Sequence, residues 1–552
     1  MQSTLIKKYM AIYSPSAVYQ SAATPTAPPF PLTALQKLAL PVGAILFDVL
    51  FWHERMALNM LVYTVFVLGV SVAGLPRTAP QWRSAYCWLL LVGTLLSAVL
   101  VAVYASGAAQ LAAIVSLAGW LGYRNQPHLR LVLYAVPTGL LNLGPATQRL
   151  IQLLRLPANL SGRVGRSWFY GRLLVLPLAA LVVFHTLFVV ANPKYEALTA
   201  RFWEAIGEAL DLLFSRLSVP HVLFFLLGLV LTAGALLILP VHYFADHESR
   251  FGEFVRRQRD RVASLGVRRP DFRADRFPPL GLRREYLMAL SLLVLVNGLL
   301  LVVNLIDISW IWIDFRPSAD FDLTQFVHEG TYVLILSILV AMGIVLWFFR
   351  RNLNFYARGL ATLRWLATVW VVQNAVLAVS VGLRNYYYIL YTGLAYKRIG
   401  VYGFLLLTFF GLLTVLLKIW QRRSAYSLVR LNALAAYAVL LLLAAGNWEI
   451  WMVRYNLQPR FHRVDYGFLL DMPDRVLPEL AATAPTLAGR ELVQENDYNQ
   501  WVALPEAEAQ ARLHQRIQEF QALDWPSRSW ADWQTIHTLN ANPYTYAPQF
   551  RP

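Results

Sequence analysis

Residues 245–285 read ADHESRFGEFVRRQRDRVASLGVRRPDFRADRFPPLGLRRE, a soluble interruption between two long apolar runs. The stretch carries Arg250, Arg256, Arg257, Arg259, Arg261, Arg268, Arg269, Arg273, Arg276, Arg283 and Arg284. Short arginine-dense loops between membrane spans stay on the cytoplasmic side, so this loop sets the direction of every neighbouring span. The expected topology is counted outward from it.

Composition points to the same setting. Of 552 residues, 57% are hydrophobic and 14% charged, whereas soluble chains carry charge at about a quarter of their positions. The net charge of +17 is concentrated in loops between apolar segments. A positive-inside bias accounts for it there, and with no separate basic module nucleic acid is excluded as a partner. Cys87 is the single cysteine and lies inside an apolar run, which rules out an intrachain disulfide and a zinc cluster.

Residues 1–33 hold Lys7 and Lys8 and then a run of Ser, Ala, Thr and Pro, the composition of a flexible cytoplasmic tail. The first apolar run begins too far beyond the basic pair for a cleavable signal peptide. Spans are predicted at Leu38–Trp52, Met56–Leu75, Ala85–Tyr104, Ala108–Tyr123, Leu173–Ala191 and Val219–Tyr243 before the basic loop. After it they are predicted at Tyr286–Ile306, Tyr332–Phe349, Leu360–Leu383, Val401–Trp420 and Leu431–Trp448. Residues 131–144 are apolar but short and interrupted by Pro137 and Gly139, which suits a re-entrant or interfacial piece. Leaving that piece out of the count keeps Arg124, Arg130, Arg149, Arg155, Arg163, Arg166 and Arg172 on the side of the basic loop.

The fold class is thus an all-α polytopic bundle of about eleven spans, N-terminus cytoplasmic and C-terminus outside, in a bacterial inner membrane. Residues 34–244 and 286–448 form its two halves around the basic loop 245–285. Residues 449–552 form a small, mostly helical extracytoplasmic domain. Arg384, Lys397 and Arg398 fall on the outer face and are exceptions to the charge rule. The segment 195–216 is predicted to lie on the membrane, with Phe202, Ile206, Leu210 and Leu213 on one face and Glu204, Glu208 and Asp211 on another. In the outer domain, Pro505–Leu523 has Leu513, Ile517 and Phe520 at helical spacing, and Trp501, Trp525, Trp530 and Trp533 either fill a small core, the favoured reading, or dock onto the lipid interface.

Polar groups inside spans are costly and therefore informative. Asn297, Asn304 and Asp307 fall in one quadrant of a helix, a stripe that serves either as interhelical glue or as a ligand or ion path. Beyond it come Trp310, Trp312, Asp314, Arg316, Asp320, Asp322, His328 and Glu329, an interfacial loop or the mouth of a path. Asp307 at the outer end of its span calls for a cation; Arg384 is the first choice and Arg316 the alternative. The candidate site residues are accordingly Asn297, Asn304, Asp307, Asp314, Arg316, Glu329 and Arg384. Asp48, Asn59, His185, Gln373 and Asn374 are further intramembrane polar residues.

No catalytic set, metal site or cofactor motif is legible. The His-Glu pairs at His53, His247 and His328 lack the second histidine of a zinc-protease helix, and no phosphate loop or nucleophile elbow occurs. The functional expectation is a non-enzymatic sensor or scaffold that meets the lipid bilayer and an envelope protein partner. A transporter or channel for an ion or small solute using the stripe is the alternative, and a lipid-linked membrane enzyme is third.

Two stretches of the C-terminal half carry a resemblance. One is RNYYYILYTGLAYKR at 384–398; the other is NWEIWMVRYNL at 447–457, followed by Asp465, Phe468-Leu469 and Leu477-Pro478. Together they resemble a family of bacterial multi-pass membrane proteins, with Bacteroidetes members, catalogued as a domain of unknown function. The resemblance covers roughly residues 280 to 540. It implies architecture and no chemistry.

Overall fold

A computed structural model describes residues 33–153, 218–238, 241–255, 282–313, 323–350, 352–356, 359–483, 487, 489–495, 500–522 and 525–541, with isolated positions between 177 and 204; for 151–153, 323–332, 352, 526 and 541 it describes the backbone only. Outside the described residues lie the tail 1–32, most of the expected span 173–191 and surface helix 195–216, residues 256–281 of the basic loop, and Asp314, Arg316, Asp320 and Asp322.

Four of the long helices start at a hydroxyl cap, Thr33, Ser106, Ser218 or Ser424. Thr33 and Gln36 form a reciprocal capping box at the head of α1 (Ala34–Phe51), and Pro41 lies inside that helix, where it leaves the Lys37 carbonyl without its usual N–H donor. Helix α2 (Leu58–Ala73) follows a tight turn in which His53 is left-handed. Helices α3 (Ala85–Tyr104) and α4 (Gly107–Asn125) are separated by Ala105 and Ser106, and the Ser106 hydroxyl caps α4. Two short helices, α5 (Val132–Leu141) and α6 (Leu143–Leu153), precede α7 (Val219–Leu236) and α8 (Tyr243–Glu248). The second half holds α9 (Leu282–Asp307), which runs on through a π-helical turn to Trp312, then α10 (Leu323–Phe348), α11 (Leu360–Thr392), α12 (Tyr396–Gln421) and α13 (Ala425–Ala445).

Seven of the described helices are long and apolar enough to cross a membrane, and Leu58–Ala73 and Val333–Phe348 are shorter apolar helices. The protein is therefore an all-α, membrane-embedded bundle. Its surface is inverted relative to a soluble protein, since Leu295, Leu299, Val302 and Leu305 of α9 are exposed while the asparagines of the same helix are buried. Helix α5 has 10 residues and spans about 15 Å at 1.5 Å per residue, half of a hydrocarbon core of about 30 Å. It packs backbone to backbone on α4. A Cβ at Gly122 would run into the Ala135 carbonyl, and one at Gly139 into the Ala118 carbonyl.

The connections segregate to two ends. At one end, residues 251–255 pair with the start of α13: Val255 N–H donates to Arg422 O at 2.9 Å and Ser424 N–H to Glu253 O at 2.9 Å. Arg430 meets Glu253 at 3.1 Å there, and the Arg130 N–H meets Glu248 at 3.2 Å. At the other end, the α1–α2 turn, the α3–α4 turn and the α11–α12 break all meet the C-terminal domain. Helix α13 ties the halves together, with Tyr437 Oη 2.8 Å from Ser116 Oγ on α4 and its ring seated at Gly93 of α3.

The C-terminal domain begins with α14 (Trp448–Asn456) and continues through β1 (Arg463–Asp465), α15 (Tyr466–Leu470), α16 (Leu477–Thr483), β2 (Glu491–Glu495), β3 (Trp501–Ala503), α17 (Glu506–Gln521) and α18 (Trp530–Ala541). Its three-stranded sheet has the order β1-β2-β3, parallel between β1 and β2 (Val464 opposite Leu492) and antiparallel between β2 and β3 (Gln494 opposite Val502). Buried aliphatics such as Leu469, Leu477, Leu480 and Leu513, with Phe520, make its core. The core reading of the tryptophans is overturned: Trp501, Trp525, Trp530 and Trp533 are 45 to 63% exposed. Aliphatic residues already fill the interior, and α18 turns Leu539 inward while Trp530 and Trp533 face out.

Candidate functional site

Helices α9 and α11 lie side by side and run in the same direction. Asn297 Nδ2 donates to Leu366 O at 3.1 Å and Asn304 Nδ2 to Gln373 O at 3.1 Å, both across 69 residues of chain. Two bonds one heptad apart with the same offset are the mark of parallel helices in register. Gln373 Nε2 closes the ladder by donating to Asn297 Oδ1 at 2.8 Å. The stripe read from the sequence is thus a polar seam between two spans. It leaves Asn304 Oδ1, Gln373 Oε1 and Asp307 Oδ2 buried without a hydrogen-bond partner among the described residues.

At the end of the seam Arg384 donates to Asp307 Oδ1 at 2.8 Å, with side chains 10% and 5% exposed. Charge pairing of this depth is what an apolar surround demands, because an isolated charge there costs several kcal/mol. Arg384 lies inside a helix and not in a loop. The 33 residues of α11 span about 50 Å, so its last turns extend past the hydrocarbon. The π-helical turn after Asp307 presents Trp312 Nε1 to Ser380 Oγ at 3.0 Å, and Ile311 O accepts from Tyr387 Oη at 3.2 Å. Of the other candidates, Asp314 and Arg316 lie outside the described residues, and Glu329 is described only as backbone in α10. The seam therefore unites Asn297, Asn304, Asp307 and Arg384, and adds Gln373.

Just beyond the pair, the two stretches at 384–398 and 447–478 clasp each other. The α11–α12 break turns at Gly393, whose φ of +88° lies in the left-handed region, and a Cβ there would meet Asn456 Oδ1 at 2.6 Å. Only glycine fits this close approach without strain. Asn456 brackets the turn from the other side, its Oδ1 accepting from Leu394 N at 2.6 Å and its Nδ2 donating to Leu394 O at 2.8 Å. Asn385 donates to Arg398 O at 3.0 Å, and the Arg398 guanidinium bonds the Gly393 carbonyl.

A second buried ion pair completes this junction. Arg475 and Glu449 contact each other with side chains 2% and 3% exposed, and Arg475 also donates to the Tyr104 carbonyl at the end of α3. Tyr396 Oη donates to Glu449 Oε1 at 3.1 Å, so one carboxylate gathers α12, α14 and the chain after α15. A third tie runs to the first half: Arg55 Nη1 meets Asp474 Oδ2 at 3.2 Å, the Arg55 N–H donates to Ser527 Oγ at 2.8 Å, and Ser527 donates to Glu54. Inside the domain, burial pushes the Asp465 carboxyl above its ordinary range, opposed by the Phe468 N–H that it accepts; burial also pushes Tyr466 up to about 12.

Sequence reasoning named Arg384 and Asp307 but passed over Glu449, Asn456 and Arg475. Glu449 and Asn456 lie in the second quoted stretch, and Arg475 falls between its Phe468-Leu469 and Leu477-Pro478. Charges in a polar tail look alike without a partner in view. Among the described residues no group of three His, Cys, Asp or Glu side chains is placed to hold a metal ion.

No curated protein and no solved structure matches the chain. A family model described as "Domain of unknown function (DUF4153)" matches residues 64–482. The match starts within α2, so it takes in most of the first bundle, the seam, the Glu449–Arg475 pair and the Asn456 bracket, while Glu54, Arg55 and Ser527 fall outside it; it ends before β2. On that extent, the chain belongs to the family of proteins that carry the domain of unknown function DUF4153.

Proposed function

We propose that the protein is a non-enzymatic sensor or scaffold of the bacterial inner membrane, with its N-terminus in the cytoplasm and its C-terminal domain outside, where it meets an envelope protein. The observation that supports this reading is the junction. Glu449–Arg475, Arg55–Asp474 and the Asn456 bracket tie the domain to the first bundle and to the α11–α12 break at once. Such a domain transmits a force or a binding event to several spans together. The basic connections at the opposite end support the orientation.

A second reading, transport of an ion or small solute, is favoured by the buried oxygens of Asn304, Gln373 and Asp307 that lack hydrogen-bond partners among the described residues. Against it, the amide groups of the seam bond the neighbouring helix, as glue does. Two experiments separate the readings. Cysteines at exposed Ser249 and Gln518, each in a Cys87→Ser background, are labelled with an impermeant reagent on outer-membrane-permeabilised cells. Labelling is expected at Gln518 and not at Ser249; the reverse overturns the orientation. Purified protein in liposomes is expected to pass no ions or small solutes, and a flux that Asp307→Asn abolishes overturns the scaffold reading in favour of transport.

A further inference from the structure

The first bundle contains a cavity of about 500 Å³, walled by α1, α2, α4 and α7 and floored by α5 and the start of α6. Of its lining residues only Glu54 and Tyr63 have polar side chains, and Tyr63 is already bonded to Thr232 at 2.9 Å. Water in a cavity needs several polar partners, so this one excludes it. Leu227 and Leu140 on its rim are half exposed, which opens it sideways to the bilayer.

Its size and polarity specify an occupant. A dry cavity of about 150 Å³ takes up benzene, with six carbons, so about 500 Å³ has room for roughly twenty. Along α7 the lining runs from Phe224 to Ala235, about 16 Å at 1.5 Å per residue, close to half of a 30 Å hydrocarbon core. That is the length of one leaflet. Glu54 stands at the end nearest the C-terminal domain, and Arg55 beside it has a side chain 68% exposed. A carboxylate next to a guanidinium at the mouth of a leaflet-long apolar groove complements an ammonium joined to a phosphate.

We propose that this groove binds one acyl chain of a phospholipid whose phosphoethanolamine headgroup lies at Glu54 and Arg55. The lipid belongs to the leaflet on the side of the C-terminal domain. Because Glu54 and Arg55 also hold Ser527 and Asp474, an occupied groove contributes to the same contacts that dock the domain. The site does not rest on the scaffold reading.

Native mass spectrometry of the full chain, released from nanodiscs of equimolar phosphatidylethanolamine and phosphatidylglycerol, tests it. One phosphatidylethanolamine is expected to remain on the wild type. Leu227→Trp, which fills the groove from α7, is expected to lose it, and Leu140→Trp does the same from α5 should the first variant misfold. Leu295→Trp, on a lipid-facing surface far from the groove, is expected to keep it. Glu54→Gln should lower the preference for phosphatidylethanolamine over phosphatidylglycerol about threefold, the scale of a partly exposed charge pair. Equal lipid retention by the wild type, Leu227→Trp and Leu295→Trp overturns the proposal, as does groove-dependent retention with no headgroup preference or a second copy of the chain in place of lipid.

Discussion

Replacing Asp307 and Arg384 by alanine, singly and together, gives the sharpest test of how the seam is held. At 2.8 Å the gross attraction at an effective dielectric of about 20 is about 6 kcal/mol. Desolvation of two charges cancels much of this, which is why the net worth of such a pair is far smaller. Removing one partner is a different quantity, because it strands the other charge in an apolar surround at about 3–5 kcal/mol. Average interhelical hydrogen bonds in membranes are worth only about 0.6 kcal/mol, so the stranded charge dominates any effect of lost glue. Each single variant is expected to lose about 3 kcal/mol, and the double variant less than the sum by about 1–3 kcal/mol. Unfolding in mixed micelles at graded denaturant, followed by circular dichroism, measures all four corners of the cycle. Losses that add within about 0.5 kcal/mol would refute the pairing as an energetic unit.

Three further outcomes follow from the junction and the domain it holds. Gly393→Ala puts a Cβ at a φ of +88° against Asn456, and should cost on the order of 1–3 kcal/mol in the same unfolding assay; an unchanged midpoint would show that the turn relaxes freely. Arg475→Met, which strands the buried Glu449, should cost about 3–5 kcal/mol, whereas Arg454→Met, which breaks the exposed contact with Glu479, should cost less than about 1 kcal/mol. Comparable losses would mean that burial at the junction carries no special weight. Asp465 is held above its ordinary value near 3.8 by burial, so the folded state favours its protonated form. Its contribution is complete below about pH 3.8 and is lost as the pH rises through the raised value. Asp465→Asn should therefore flatten the fall in domain stability between acid and neutral pH, as read by amide exchange, and an unaltered pH profile counts against the assignment.

The polytopic fold was legible because bilayer thickness forces long apolar runs and leaves charges for the ends. The inward face of α9 was legible for a related reason: Asn297, Asn304 and Asp307 repeat at helical spacing in a field of leucine. Where sequence signals failed, the physics was local and weak. Strands β1 and β3 are three residues long, too short for alternation to register. The tryptophans of the C-terminal domain are apolar by composition, yet core membership depends on what else fills the interior, and leucines fill it. The span expected to end at Leu383 continues as helix to Thr392, because the polar residues Arg384 and Asn385 are buried against neighbouring elements and do not end it. Glu449 and Arg475 sit among other charges of a polar tail, and their burial arises only when α3, α12 and α14 converge.

The notch at Gly93 has a bearing on how the protein is made. It receives the ring of Tyr437, whose hydroxyl bonds Ser116 across 321 residues of chain. At synthesis rates of about 5–20 residues per second, the tyrosine for that notch emerges roughly 16 to 64 s after Ser116 has entered the membrane. For that interval the first bundle is an unfinished object with a polar hydroxyl and a gap on its face. Until α13 arrives the notch lacks the ring that fills it, and a chain cut anywhere before α13 leaves it without that ring for good.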